Sequence, residues 1–129
     1  MSNEIWIKAN ELKDYVTALR RQIHQHPELG GQEVRTAELI CRELQSYGVE
    51  IVPVNVPTGV VGLLHGKKPG RGQVTALRAD IDALPILEKT GLLYASEHEG
   101  KMHACGHDGH TAMLLGAAKL LSTMTEQFS

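Results

Sequence analysis

The stretch VEIVPVNVPTGVVGLLHGKKPGRGQVTALRADI, residues 49–81, decides the fold class of this chain. It holds three runs rich in Val, Ile and Leu, at residues 49–56, 60–64 and 74–81, separated by Pro and Gly turn signals. Such a pattern is typical of successive short strands. Two helical patterns precede these runs and one follows them, so the sequence predicts the order α-α-β-β-β-loop-α and an α/β layered domain.

The first two helices are predicted from apolar residues that recur every three to four positions. One runs from about residue 12 to 26, with Asn10 as its N-cap, and Pro27 ends it because the residue before a proline disfavours helical geometry. The other covers about residues 33–47, and Gly48 stands where a C-terminal cap belongs.

The last helix is predicted from about Asp108, which can cap it, to Leu121. It is apolar around much of its circumference, which indicates burial on several sides. A helix of this kind needs more partners than three short strands offer. We therefore expect the chain to be part of a larger layered structure.

Composition excludes several classes of function. The net charge is −2 and there is one Trp and one Phe, so a basic, aromatic nucleic-acid surface is not expected. No run approaches the roughly 18 apolar residues of a membrane span, and the N-terminus lacks a secretory pattern, so we expect a cytoplasmic protein without a membrane partner. Two cysteines, Cys41 and Cys105, are too few for a disulfide scaffold.

Most of the chemistry is concentrated in HACGHDGH, residues 103–110. Cys and His are usual ligands of zinc and related metals, and the spacing of Cys105 and His107 suits one metal or two adjacent ones. His110 follows one helical turn after His107. The alternative is a set of solvated histidines beside a small buried thiol, with Asp108 only an N-cap. The density of the cluster favours a metal site.

A second cluster, RADIDALP at residues 78–85, follows the third apolar run. Asp80 and Asp82 at the end of a strand can bind a metal, orient a histidine ligand or transfer protons. They can equally satisfy backbone N–H groups of a turn. HQHPEL at residues 24–29 is a weaker candidate, because histidines and glutamates at a helix end more often form loop hydrogen bonds.

Two segments carry a resemblance to a known family. RADIDALPI (residues 78–86) and MHACGHDGHTAMLLGAAKLL (residues 102–121) closely resemble signature blocks of the metallo-amidohydrolase and carboxypeptidase-like family. The branch is that of N-acyl-L-amino-acid amidohydrolase, hippurate hydrolase, auxin-conjugate hydrolase and N-acetyldiaminopimelate deacetylase. Residues 20–33 and 58–64 resemble further blocks of this branch, so the resemblance covers nearly the whole chain.

The resemblance implies a zinc-exopeptidase-like α/β/α sandwich, in which residues 1–129 form the N-terminal portion of the catalytic domain. It implies hydrolysis of an N-acyl amino acid or short peptide, with two divalent metals (Mn, Zn or Ni). By this resemblance Cys105 and His107 are metal ligands, and Asp80 is the catalytic-site carboxylate that orients a ligand. Four further residues are candidates for supporting or additional roles: Asp82, His103, Asp108 and His110.

The resemblance also implies parts that this sequence does not show. Family members continue into a Pro-Ala-Glu-Glu block, which supplies the general-base Glu and another metal-ligand Glu, and then into two more His ligands and a lid or dimerisation domain. We therefore expect either a hydrolase by lineage that is inactive as this chain, or a truncated module that binds metal or self-associates as a homo-oligomer. A nucleophilic Cys105 is disfavoured because nothing marks an oxyanion hole.

Overall fold

The computed structural model of this chain describes residues 2–70 and 72–129. Helices and a small sheet combine in this part of the chain, which confirms the α/β class. The elements are α1 (Ser2–Glu11), α2 (Lys13–Gln25), α3 (Val34–Ser46), β1 (Glu50–Val52), β2 (Val61–Leu63), α4 (His107–Ser122) and a short 3-10 turn (Thr125–Gln127).

The core lies where α2, α3 and α4 meet. Its buried apolar residues form one cluster: Leu19, Ile23, Leu39, Ile40, Ala112 and Leu115. Helices α2 and α4 pack closely at Gly116, where an added Cβ would lie 2.6 Å from Cγ2 of Val16. This contact fixes the middle of α4 against α2, and α4 carries the predicted metal ligand His107 at its N-terminal end.

The N-terminal helices differ from the prediction. Residues Ser2–Glu11 form α1, which periodicity did not reveal because its large apolar side chains, Ile5, Trp6 and Ile7, are all exposed. The predicted N-cap Asn10 lies inside α1, where its Nδ2 donates to the carbonyl of Trp6 at 2.8 Å. Helix α2 instead starts after Leu12.

Helix α3 agrees with the prediction to within one residue at each end. Its C-terminus is closed by Gly48, which has a φ of +76°. The N–H of Gly48 donates to the carbonyl of Gln45 at 3.0 Å, and the N–H of Val49 donates to the carbonyl of Leu44 at 3.0 Å. This pair of bonds is a Schellman motif, and it satisfies helix carbonyls that would otherwise lack a donor.

The sheet is smaller than predicted. Strands β1 and β2 pair antiparallel, with Ile51 opposite Gly62. The third predicted strand, residues 74–81, is wrong as a strand, since it pairs with no strand among the described residues. A β-strand is stabilised by a hydrogen-bonded neighbour, and apolar composition cannot replace one. Val74 and Leu77 are accordingly 82% and 58% exposed.

The polar segment that follows is nevertheless held in place. The N–H of Ala83 donates to the carbonyl of Glu28 at 2.8 Å, and Leu29 and Ala83 form an isolated parallel bridge. Leu84 and Met102 exchange two backbone hydrogen bonds of 2.9 and 3.0 Å. The backbone next to Asp82 is therefore fixed between the loop after α2 and the loop before α4. In the described part of the chain, no helix combines the length and the apolar character needed to cross a membrane.

Candidate metal centre

The first turn of α4 presents the predicted histidines. Its N-cap is Gly106, with a φ of +90° and a ψ of 16°, in the left-handed region. Glycine adopts this conformation readily because it has no Cβ. The turn at Gly106 leads the chain from the exposed Cys105 directly into His107, the first residue of the helix.

His107 is oriented by Asp82. Its Nδ1 lies 2.9 Å from Oδ1 of Asp82 and 3.1 Å from the Asp82 carbonyl oxygen. Both neighbours are acceptors, so Nδ1 donates to them, and Nε2 is the ring nitrogen left to bind a metal. This arrangement is typical of histidines that bind metals, because their other ring nitrogen usually donates to a carboxylate or a carbonyl.

Three potential metal ligands converge at this imidazole. One donor atom each from Asp80, His107 and His110 lies within 4.8 Å of the others. Nε2 of His107 is 3.9 Å from Oδ2 of Asp80, and the two imidazole rings have centroids 5.5 Å apart. The side chain of His107 is 16% exposed and that of Asp80 is 36% exposed, so the group is open to solvent on one side.

Asp80 is tied to α4 and to one cation. The hydroxyl of Thr111, a buried residue of α4, donates to the Asp80 carbonyl at 3.1 Å. The guanidinium of Arg78 lies 2.5 Å from Oδ1 of Asp80, but the Arg78 side chain is 83% exposed. An ion pair so open to water contributes little energy, and Arg78 can leave when a metal takes its place. Imidazole and carboxylate donors suit zinc, manganese and similar divalent ions, so the residues present fit such a metal.

The structure separates these donors from three other sequence candidates. Cys105 is exposed and does not belong to the three-donor group. His103 is buried, burial lowers the pKa of its imidazole, and neither of its ring nitrogens has a hydrogen-bond partner in the described residues. Asp108 is fully buried and faces α2. A ligand role for Cys105 therefore stays a prediction.

Asp108 has partners that the sequence analysis missed. Its predicted N-cap role is wrong, because Oδ2 of Asp108 accepts hydrogen bonds from Nε of Arg20 and from Nδ1 of His24, both at 2.8 Å. Burial alone would raise the pKa of the Asp108 carboxyl, but the bonds from His24, the Gly109 N–H and Arg20 hold it below its ordinary value. The available signal was the spacing of Arg20 and His24, four residues apart on one face of α2.

Glu88 completes this buried cluster. Its Oε1 lies 3.2 Å from Nε2 of His24, and its Oε2 accepts the N–H of Ser96 at 2.6 Å. Desolvation would raise the pKa of Glu88, but hydrogen bonds from Thr90, Ser96 and His24 lower it overall. The irregular segment before α4 is therefore anchored to α2 through an ionised carboxylate.

In the HQHPEL segment, Glu28 forms loop hydrogen bonds rather than binding in the site, as the sequence analysis favoured. The Glu28 carboxylate accepts hydrogen bonds from the N–H of Arg35 at 3.1 Å, and from the N–H and the hydroxyl of Thr36, each at 2.8 Å. It therefore caps α3 from outside the helix, and its backbone carbonyl holds Ala83. Glu28 supports the site region, and among the described residues it is not part of the group of potential metal ligands.

Comparisons with known proteins show what this chain is similar to. Residues 76–129 match the family model of Peptidase family M20/M25/M40. The chain is 50% identical over 112 residues to thermostable carboxypeptidase 1 of Saccharolobus solfataricus, covering 86% of this chain and 28% of that protein. It is 49% identical over 123 residues to the N-acyl-L-amino acid amidohydrolase of Geobacillus stearothermophilus, covering 95% of this chain and 33% of that protein.

A solved structure shows the same arrangement of the chain. It is a dinuclear metal-binding peptidase of the M20 family from Bacillus subtilis, with a TM-score of 0.85 at 45% identity, covering 91% of this chain and 33% of that one. The chain thus spans about a third or less of the length of the relatives it matches. Over residues 76–129 it is similar to peptidase family M20/M25/M40, and the relatives named above are hydrolases by name.

Proposed function

We propose that this chain provides part of the dinuclear metal centre of a hydrolase that cleaves the amide bond of N-acyl amino acids. The observation that carries the proposal is the convergence of Asp80, His107 and His110 within 4.8 Å, with the second nitrogen of His107 held by Asp82. The relatives named above are a carboxypeptidase and an N-acyl-L-amino acid amidohydrolase. These names support amides of amino acids as the substrate class.

The residues of this chain have distinct parts in the proposal. His107 binds metal through Nε2, and Asp82 keeps its ring in the required tautomer and direction. Asp80, whose Oδ2 lies 3.9 Å from the same Nε2, contributes a carboxylate ligand. Cys105, exposed at the turn before α4, contributes its sulfur. When bound, a divalent metal lowers the pKa of water and polarises a carbonyl oxygen.

The test of the metal centre is metal retention by the purified chain. We expect the wild type to retain Mn²⁺ or Zn²⁺ through gel filtration, and His107→Ala and Asp80→Asn to lose it. His65→Ala is the matched control, because His65 is exposed and its Nε2 lies 3.1 Å from a carboxylate oxygen of Glu50 on β1. Retention by His107→Ala equal to that of the wild type would refute the proposed ligand set. Cys105→Ala in the same assay decides whether the thiol belongs to it.

Catalysis is tested separately. The three converging donors are fewer than two metal ions need, since zinc takes about four ligands per ion. We therefore expect these 129 residues alone to release no amino acid from N-acetyl amino acids above the buffer rate, measured with ninhydrin. Hydrolysis that His107→Ala abolishes would contradict that expectation and would place the whole activity in this chain.

Self-association is the second candidate, and one feature favours it. Residues 74–81 lie unpaired among the described residues, with Val74 and Leu77 exposed. Unpaired backbone beside exposed apolar side chains promotes pairing with another copy. Sedimentation velocity is expected to show a dimer that Val74→Lys weakens and Val56→Lys, at an exposed valine elsewhere, does not. A monomer at every concentration would exclude this candidate.

A further inference from the structure

We propose that Arg20 and His24 of α2 are positioning residues of the metal centre, acting through Asp108. Asp108 lies in the first turn of α4, between His107 and His110. The buried carboxylate and its two partners on α2 fix that turn, and with it the direction of both imidazoles. The inference rests on the proposed metal-binding function.

Asp108 is anchored by two side chains of α2. Its Oδ2 accepts from Nε of Arg20 and from Nδ1 of His24, each at 2.8 Å. The side chain of Asp108 has no exposed surface and that of His24 is 3% exposed. Hydrogen bonds to a carboxylate are short, strong and directional, so this carboxylate has one favourable position.

The His24 ring connects two carboxylates. Its Nδ1 lies 2.8 Å from Oδ2 of Asp108, and its Nε2 lies 3.2 Å from Oε1 of Glu88. The guanidinium of Arg20 adds a third contact, through Nε to Oδ2 of Asp108 at 2.8 Å. A buried carboxylate is tolerated when it is paired and hydrogen-bonded in this way.

Besides the contacts of His107 with Asp82, the described residues give the first turn of α4 little else to hold it. Gly106 and Gly109 lie on either side of His107 and Asp108, and a Cβ added at either glycine would meet nothing within 4 Å. The apolar packing of α4 begins only at Ala112, in the next turn. Asp108 is thus the fully buried side chain that ties the glycine-flanked turn to α2.

The inference and simple electrostatics predict opposite changes in metal affinity when Arg20 is removed. Removing a nearby cation raises the affinity of a site for a divalent metal if only Coulomb attraction matters. If Arg20 positions the ligands, its removal lowers that affinity. Arg21 provides a matched control, because its guanidinium lies over the Tyr94 ring at 4.9 Å, beside Arg20, and makes no bond to Asp108.

The experiment titrates the wild-type chain and its Arg20→Met, Arg20→Lys, His24→Gln and Arg21→Met variants with Co²⁺. Affinity and the visible ligand-field spectrum are recorded together with the urea-unfolding midpoint. We expect Arg20→Met and His24→Gln to lose roughly tenfold or more in affinity, with an altered spectrum. Arg21→Met keeps the wild-type values, and Arg20→Lys recovers part of the loss. The Arg20 side chain is 38% exposed, so we expect its variants to disturb the folded chain less than those of the buried His24.

Each outcome has one meaning. Wild-type affinity and spectrum in Arg20→Met and His24→Gln, even with lower stability, would show a purely structural ion pair and overturn the inference. An equal loss in Arg21→Met would overturn it too, since loss of net charge would then be the cause. A wild-type chain that binds no Co²⁺ would instead refute the proposed metal centre itself.

Discussion

Glu28 offers the sharpest test of how the site region is held. Its carboxylate accepts hydrogen bonds from the N–H of Arg35, the N–H of Thr36 and the Thr36 hydroxyl. These backbone groups belong to the first turn of α3, where helix N–H groups have no partner within the helix. Replacing Glu28 by Ala removes all three acceptor contacts and the negative charge at the helix N-terminus.

The magnitude follows from the two contributions. Loss of a capping side chain costs about 1 kcal/mol, and loss of a favourable charge at a helix N-terminus costs about 0.5 kcal/mol. Thr36 is only 4% exposed, so its hydroxyl is left without an acceptor or water, which adds to the cost. We expect Glu28→Ala to lower the free energy of unfolding by about 2 kcal/mol, and Glu28→Gln, which keeps one acceptor oxygen, by about 1 kcal/mol.

Urea unfolding followed by far-ultraviolet circular dichroism measures the effect. With an m-value of about 2 kcal/mol/M, Glu28→Ala lowers the midpoint by about 1 M. Glu38→Gln is the control, because Glu38 is an exposed carboxylate of α3. A Glu28→Ala midpoint equal to that of the wild type at neutral pH would refute the capping role.

The same contact predicts a dependence on pH. Burial would raise the pKa of Glu28, but the hydrogen bonds from Thr36 and Arg35 lower it below the ordinary value of 4.5 in the folded chain. A carboxyl whose pKa is lower in the folded than in the unfolded state stabilises fully above the unfolded pKa. That stabilisation is lost as the pH falls below 4.5 and through the folded pKa. The stability gap between the wild type and Glu28→Ala should therefore close in acid, and a gap that stays constant would contradict the argument.

Three further substitutions test the packing around the site. Gly106→Ala should cost about 1 to 2 kcal/mol in urea unfolding, because a φ of +90° is unfavourable for a residue with a Cβ; no loss would mean that the turn relaxes. Leu115→Ala in the buried core should cost about 2 to 5 kcal/mol, against less than about 0.5 kcal/mol for the exposed Met113→Ala, and similar losses would contradict the assigned core. Gly116→Ala should destabilise the wild type through its contact with Val16 but stabilise a Val16→Ala background by about 1 kcal/mol, and the same sign in both would exclude the clash.

Local signals predicted the parts of the structure that local physics determines. Helix α3 ends at the Schellman motif of Gly48 and α2 ends just before Pro27, because capping and proline geometry act within a few residues. Helix α1 escaped the analysis because its apolar side chains are exposed and show no buried stripe. The strand over residues 74–81 failed for the opposite reason, since apolar character predicts a strand only if a neighbour is present to pair with it.

For the site, the sequence determined which residue types are present and which family the chain resembles. HACGHDGH and RADID pointed to metal chemistry because imidazole, thiolate and carboxylate groups are the side chains that bind divalent ions. Only the tertiary structure decided their arrangement. It placed Asp82 rather than Asp80 on Nδ1 of His107, and it turned Asp108 toward Arg20 and His24, more than 80 positions earlier in the chain. Contacts at such separation arise from the packing of α2 against α4, and no local pattern along the chain encodes them.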